Sequence, residues 1–210
     1  MRLYRRAAAV APSRSAAFLA HPRGDSWSRL VSTSLASLSF ADLVRPRGPV
    51  WTPTELRDLV TTVGTRLRDP LLDQVRFASP RRWWARLALT EEVELWLLSW
   101  LPGQHTAPHD HGGASGAFSV VLGSLAETYR YPGASIGHRT HDTGATLGFG
   151  AGRAHQVWNT GLTKAASVHA YSPPLVPTRE YASLRDIPAV IPPLPPARPL
   201  AELEMEPVEP

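Results

Sequence analysis

The chain has 210 residues, 43% of them hydrophobic, a formal net charge of +4 and no cysteine. Such a length suits one domain with a sound core, and the missing cysteines exclude disulfides, thiolate ligands and thiol nucleophiles. No apolar run approaches the roughly 18 residues of a spanning helix, and no basic cluster is interleaved with aromatics, so neither a membrane nor a nucleic acid is expected as a partner.

Residues 1–25 read as a basic arm. Arg2, Arg5 and Arg6 precede an alanine-rich stretch, and Arg14 interrupts it before it reaches the length of a leader core. A cytoplasmic, monomeric protein is the expectation. Residues 26–186 form the predicted domain. Leu30, Leu35, Leu38 and Leu43 give a moderate helical pattern. A clearer helix follows: Thr52 caps it, Pro53 takes the first helical position and Glu55 completes a capping box. Leu56, Leu59, Val60, Val63 and Leu67 mark its apolar face, and Asp69-Pro70 is expected to end it.

From about residue 83 the pattern changes to short strands. Val93–Trp100 is apolar on both faces, as in a buried strand. Ala117–Leu122 and Leu125–Tyr131 flank a hairpin-like Gly123-Ser124 turn. Segments 145–149, 155–159 and 166–172 complete a set that predicts a mainly β sandwich or barrel. Residues 187–210 carry eight prolines and read as a poorly ordered tail.

The chemistry concentrates in two stretches. In a strand, alternate side chains share a face, so His109 and His111 point together and Asp110 points away. A later strand can add His155. Three neutral histidines without a carboxylate leave open positions on an octahedral ion, which suits iron(II); a tetrahedral zinc with one water is the competitor. Ser167, His169 and Tyr171 are spaced i, i+2, i+4 and share one strand face, where they can form a hydrogen-bond chain.

The spacing Gly103, His109, His111, Gly123, and then Gly144, Gly152, His155, Asn159, resembles the two signature motifs of the cupin superfamily. Gly116 stands where most cupins have a glutamate ligand. With Ser167-x-His169-x-Tyr171-Ser172-Pro173-Pro174, the chain further resembles the thiol dioxygenases, typified by cysteine dioxygenase. The resemblance runs from about residue 80 to 181. It implies a cupin barrel, a double-stranded β-helix with a few N-terminal helices. It implies Fe(II) held by His109, His111 and His155, and a small thiol, L-cysteine, oxidised by O2 to the sulfinic acid.

In that family the thiol approaches the iron through thiolate and amine. Ser167, His169 and Tyr171 match an outer triad whose tyrosine lies near the substrate, and Ser172-Pro173 matches a cis bond. Trp84-Ala85-Arg86 matches the site of the arginine that receives the substrate carboxylate; Arg82 and Arg81 are the neighbouring alternatives. Trp84 replaces the family's usual tyrosine. Animal members carry a cysteine at the Gly116 position, cross-linked to the tyrosine. That thioether cannot form here, and glycine is common in bacterial members. A 3-mercaptopropionate dioxygenase and a non-oxidative cupin are the competing functions. His105, His138 and His141 are expected at the surface or in loops, and Trp158 packed over the site or the core.

Overall fold

The computed structural model describes residues 40, 42–45, 48 and 50–196. The basic arm and most of the 26–44 helical pattern lie outside them. Helix α1, Pro53–Arg66, begins as expected: the Thr52 hydroxyl accepts from the Glu55 amide, and the Glu55 carboxylate accepts from the Thr52 amide. Its end is a correction. The helix stops at Leu67, and a second helix, α2, runs through Arg68–Gln74. Pro70 is the third residue of α2, where an amide would have no partner within the helix, so the proline is tolerated.

Among the described residues ten strands follow: β1 Trp84–Leu89, β2 Glu94–Trp100, β3 His109–Asp110, β4 Ser115–Leu122, β5 Ser124–Arg130, β6 Gly137–Asp142, β7 Thr146–Phe149, β8 Ala154–Trp158, β9 Ala165–Ser172 and β10 Arg179–Glu180. They form two antiparallel five-stranded sheets, in the orders β1-β2-β9-β4-β7 and β10-β3-β8-β5-β6. The fold is a cupin double-stranded β-helix. The Gly123 turn is not a hairpin, because β4 and β5 belong to different sheets. Gly123, at φ +71°, turns the chain from one sheet into the other, and a Cβ there would meet the Lys164 carbonyl oxygen at 2.6 Å. The hairpin partner of β5 is β6, a strand in the link between the two motifs.

The interior between the sheets holds Trp100, Phe118, Val120 and Phe149 from one side and Leu125 and Val157 from the other. The outer face of the first sheet is covered by Leu56, Leu59, Val60 and Val63 of α1, packed with Ala166, Val168 and Ala170 of β9. Strand β9 is thus covered on both sides. Its small outward residues admit the helix, and its inward positions are free to carry Ser167, His169 and Tyr171.

The tail expectation also needs correction for residues 187–196. Ile187 is buried with Ala154 and Leu184. The Leu194 amide donates to the Gly112 carbonyl (2.7 Å), and Arg179 donates to the Pro192 carbonyl (3.1 Å). Proline segments lack periodic apolar faces, but they bind through ring surfaces and the few amides left to them.

Candidate metal centre

His109 and His155 face each other as direct cross-strand partners of β3 and β8. His111 follows β3 directly. The ring centroids form a near-equilateral triangle, at 4.8 Å for His109–His155 and 5.0 Å for the other two pairs. One ring nitrogen from each lies within 4.8 Å of the others.

The shape of the loop is set from behind. Asp110 points away, as alternation requires. Its buried carboxylate accepts from the Gly112 amide (2.6 Å), the Tyr181 hydroxyl and Arg179 (3.2 Å). This turn ends β3 after two residues and swings His111 inward.

Second contacts orient the rings. Nδ1 of His109 lies 2.8 Å from the Ala107 carbonyl, and Nδ1 of His155 lies 2.7 Å from Glu127 Oε1. Each therefore donates from Nδ1 and keeps Nε2 free. Both nitrogens of His111 are buried and neither makes a hydrogen bond of good geometry; the Arg153 backbone can serve one of them at most, so at least one nitrogen is left without a partner. An orphaned polar group of that kind is costly unless something binds it, so the residues present fit a cation. Burial, and then the charge His155 would carry, push His109 down to about 3. The same two causes, joined by His109 and His169, hold His111 well below the ordinary histidine value. Both rings are neutral, as ligands must be.

Glu127 on β5 escaped the sequence reading. Burial opposes its ionisation, but donors from His141 (2.9 Å), His155 and Arg153 (2.8 and 3.0 Å) outweigh that and hold it far below the usual carboxylate range. His141 is therefore buried, not a surface residue. The available signal was alternation: Leu125, Glu127 and Tyr129 share the inward face of β5. His105 and His138 are exposed, as expected. Trp158 does not cover the site. It stands three residues from His155, on the opposite face of β8, is 44% exposed and packs on His105.

At Gly116 a Cβ would come within 2.4 Å of Phe149 Cζ and 3.0 Å of Tyr171 Cδ1. The Phe149 ring packs against both His111 and His155. An aromatic ring thus takes the volume that a glutamate ligand would need, and the donor set remains three histidines.

On β9, Ser167 Oγ lies 2.8 Å from His169 Nε2, and His169 Nδ1 lies 3.1 Å from the Tyr171 hydroxyl. Burial, followed by the charges of His155, Arg82 and His109, keeps His169 neutral. Burial, and then the charge of Glu94, raise Tyr171 above its ordinary value, so its hydroxyl stays protonated. The Ser172–Pro173 bond is cis.

Arg86 lies in a cross-strand row with Trp96 and His169, which directs it inward. Its guanidinium is 4.6 Å from the Trp96 ring centre, and its Nε is buried without a partner. Burial lowers its pKa, while Glu94 opposes that shift. Arg82 stacks on Trp100 at 4.0 Å, with a buried, unpartnered Nη1. Burial depresses its pKa to about 10. Its charge is felt at His109, His169 and Tyr171. Arg81 is exposed.

The family model for cysteine dioxygenase type I matches residues 72–183, just over half of the chain. The chain belongs to this family. The match spans all three histidines, both arginines and the relay on β9. Cysteine dioxygenases are metal-dependent, and membership gives this fold a dioxygenase-type enzymatic role with a small thiol and O2 as reactants. A search of curated proteins gave no match.

Among solved structures, the chain is similar to a conserved protein with a double-stranded β-helix domain from Klebsiella pneumoniae (18% identity, 52% of this chain and 92% of that one, TM-score 0.44). It is similar to a cupin superfamily protein from Desulfitobacterium hafniense (14%, 49% and 87%, TM-score 0.42). It is also similar to an oxalate oxidase in complex with glycolate (21%, 46% and 54%, TM-score 0.40). Among the described residues of this cysteine dioxygenase family member, no helix is long and apolar enough to cross a membrane.

Proposed function

We propose that the protein is an iron(II)-dependent thiol dioxygenase that converts L-cysteine and O2 to cysteine sulfinic acid. The observation that carries this reading is the pairing of a carboxylate-free trio of buried, neutral histidines with the Ser167–His169–Tyr171 relay. His109, His111 and His155 would hold the iron. A bound iron(II) would supply the positions at which thiol and dioxygen meet and the electron exchange between them.

The reaction breaks one S–H bond and makes two S–O bonds. Sulfur loses four electrons, O2 gains four, and one proton is released as the sulfinate forms. The chain's own residues bind and orient. The protonated Tyr171 hydroxyl can donate to the sulfur or to the oxygens it acquires. Arg86 keeps a buried donor without a partner, which a substrate carboxylate would satisfy more completely than a neutral group; Arg82, whose Nη1 is also buried without a partner, is the alternative. Phe149 packs against His111 and His155, and Phe118 stacks on His169, so apolar rings line this part of the site.

The test is oxygen uptake by the iron-loaded protein with L-cysteine, 3-mercaptopropionate and cysteamine in parallel. L-Cysteine should be the best substrate. A clear preference for 3-mercaptopropionate would move the assignment to that substrate, and tightly bound zinc with no thiol-dependent uptake would overturn it.

A further inference from the structure

The relay on β9 has a fourth member. Trp100, the last residue of β2, is fully buried, and its indole Nε1 lies 2.8 Å from Ser167 Oγ. An indole N–H can only donate. Ser167 Oγ therefore accepts from Trp100 and has its own proton to give. Its remaining partner is His169 Nε2 at 2.8 Å, so that nitrogen accepts. A neutral imidazole that accepts at Nε2 carries its proton on Nδ1. The Nδ1–H then donates to the Tyr171 oxygen at 3.1 Å. Tyr171 is left with its hydroxyl proton free.

The opposite polarity is chemically possible for the last three residues alone. Tyr171 would donate to Nδ1, and Nε2–H would donate to Ser167. Ser167 would then accept twice, from His169 and from Trp100, and its own proton would be buried without an acceptor. That is the costly arrangement. The Arg82 guanidinium stacked 4.0 Å over the Trp100 ring holds the indole in its place.

We infer that Trp100 is a positioning residue that sets the direction of the relay, so that the Tyr171 proton is offered to the substrate rather than spent on His169. Its catalytic consequence rests on the thiol dioxygenase reading; the tautomer of His169 does not.

The test is carried out on full-length protein with labelled histidine, loaded with diamagnetic zinc. Imidazole carbon and nitrogen shifts separate Nδ1–H from Nε2–H, and the His169 signal is identified by its loss in His169→Asn. Wild type should show His169 as the Nδ1–H tautomer. Trp100→Phe keeps an aromatic ring under Arg82 but removes the donor, and should bring in the Nε2–H form. In the iron-loaded enzyme, Trp100→Phe should lower kcat about tenfold with KM held within about twofold. Trp100→Phe combined with Ser167→Ala should be no slower than the slower single variant, because both act through one chain. An Nε2–H tautomer in wild type would overturn the inference, as would a Trp100→Phe protein with unchanged tautomer and kcat. If Trp100→Phe does not fold, the wild-type tautomer alone decides. If no thiol is oxidised at all, the proposed function fails while the tautomer still answers for Trp100.

Discussion

The Tyr171 ring lies stacked on the imidazole of His111, with centroids 4.9 Å apart and planes 25° from parallel. One contact thus ties the end of the relay to the metal centre. The phenol is steered by its ring against His111, and its hydroxyl by His169. Tyr171→Phe should keep the stack, the metal and the melting temperature, yet slow turnover by about ten- to a hundredfold, since only a donor near the reacting atoms is removed. Kinetics with metal quantification checks this. Unchanged turnover would make the hydroxyl structural.

Glu127 is the hub behind His155. Glu127→Gln removes the charge that His155, His141 and Arg153 share, and leaves the Arg153 cation, 4% exposed, without its counter-charge. Metal affinity should fall about 10- to 100-fold. The melting temperature should fall as well, because breaking one side of a buried pair costs about 3–5 kcal/mol. Metal competition titration and calorimetry read the two effects separately.

Gly116→Ala places a Cβ against Phe149 and Tyr171. Overpacking of this kind costs about 1–3 kcal/mol and should lower both melting temperature and turnover. Shrinking the neighbour, in Gly116→Ala with Phe149→Leu, should recover part of the stability. A Gly116→Ala protein as stable as wild type would show that the ring can yield.

Truncation after Ile187 removes Pro192, Pro193 and Leu194 from the loop that carries His111. It should lower the melting temperature and weaken metal binding, whereas truncation after residue 196 should do neither. Equal stability of the two truncated proteins would mean that the strap contributes nothing.

Most of the barrel was legible because strand alternation and turn residues are local signals. The strands holding His155 and the Ser167–His169–Tyr171 face fall within a residue of their expected bounds. The clustering of His109, His111 and His155 was legible because fixed spacing on paired strands encodes geometry. Glu127 and His141 were not, because a buried carboxylate looks like a surface one until its partners converge from β6, β8 and the turn before β8. Trp158 misled because proximity in sequence to His155 says nothing about which face it occupies. The α1–α2 break was missed because a proline near a helix end signals a stop as readily as a new first turn. The Leu194–Gly112 contact joins residues 82 apart, and no local pattern announces it.

On the proposed reading, substrate choice rests on Arg86, with Arg82 as the neighbouring alternative. Removing a charge-assisted partner from a partly buried carboxylate costs on the order of 2–4 kcal/mol, or roughly thirty- to a thousandfold in kcat/KM. Arg86→Ala should show that loss with L-cysteine and much less with cysteamine, which lacks the carboxylate. If Arg82→Ala shows it and Arg86→Ala does not, the clamp is Arg82.

The most direct measurement of the central claim is the stoichiometry of O2 consumed to sulfinic acid formed by the iron-loaded protein with L-cysteine, set beside His155→Ala. One sulfinic acid per O2 is expected from wild type, and neither bound iron nor product from the folded variant. Wild-type protein that binds iron but consumes no oxygen with L-cysteine, or a His155→Ala variant that retains full iron and activity, would contradict it.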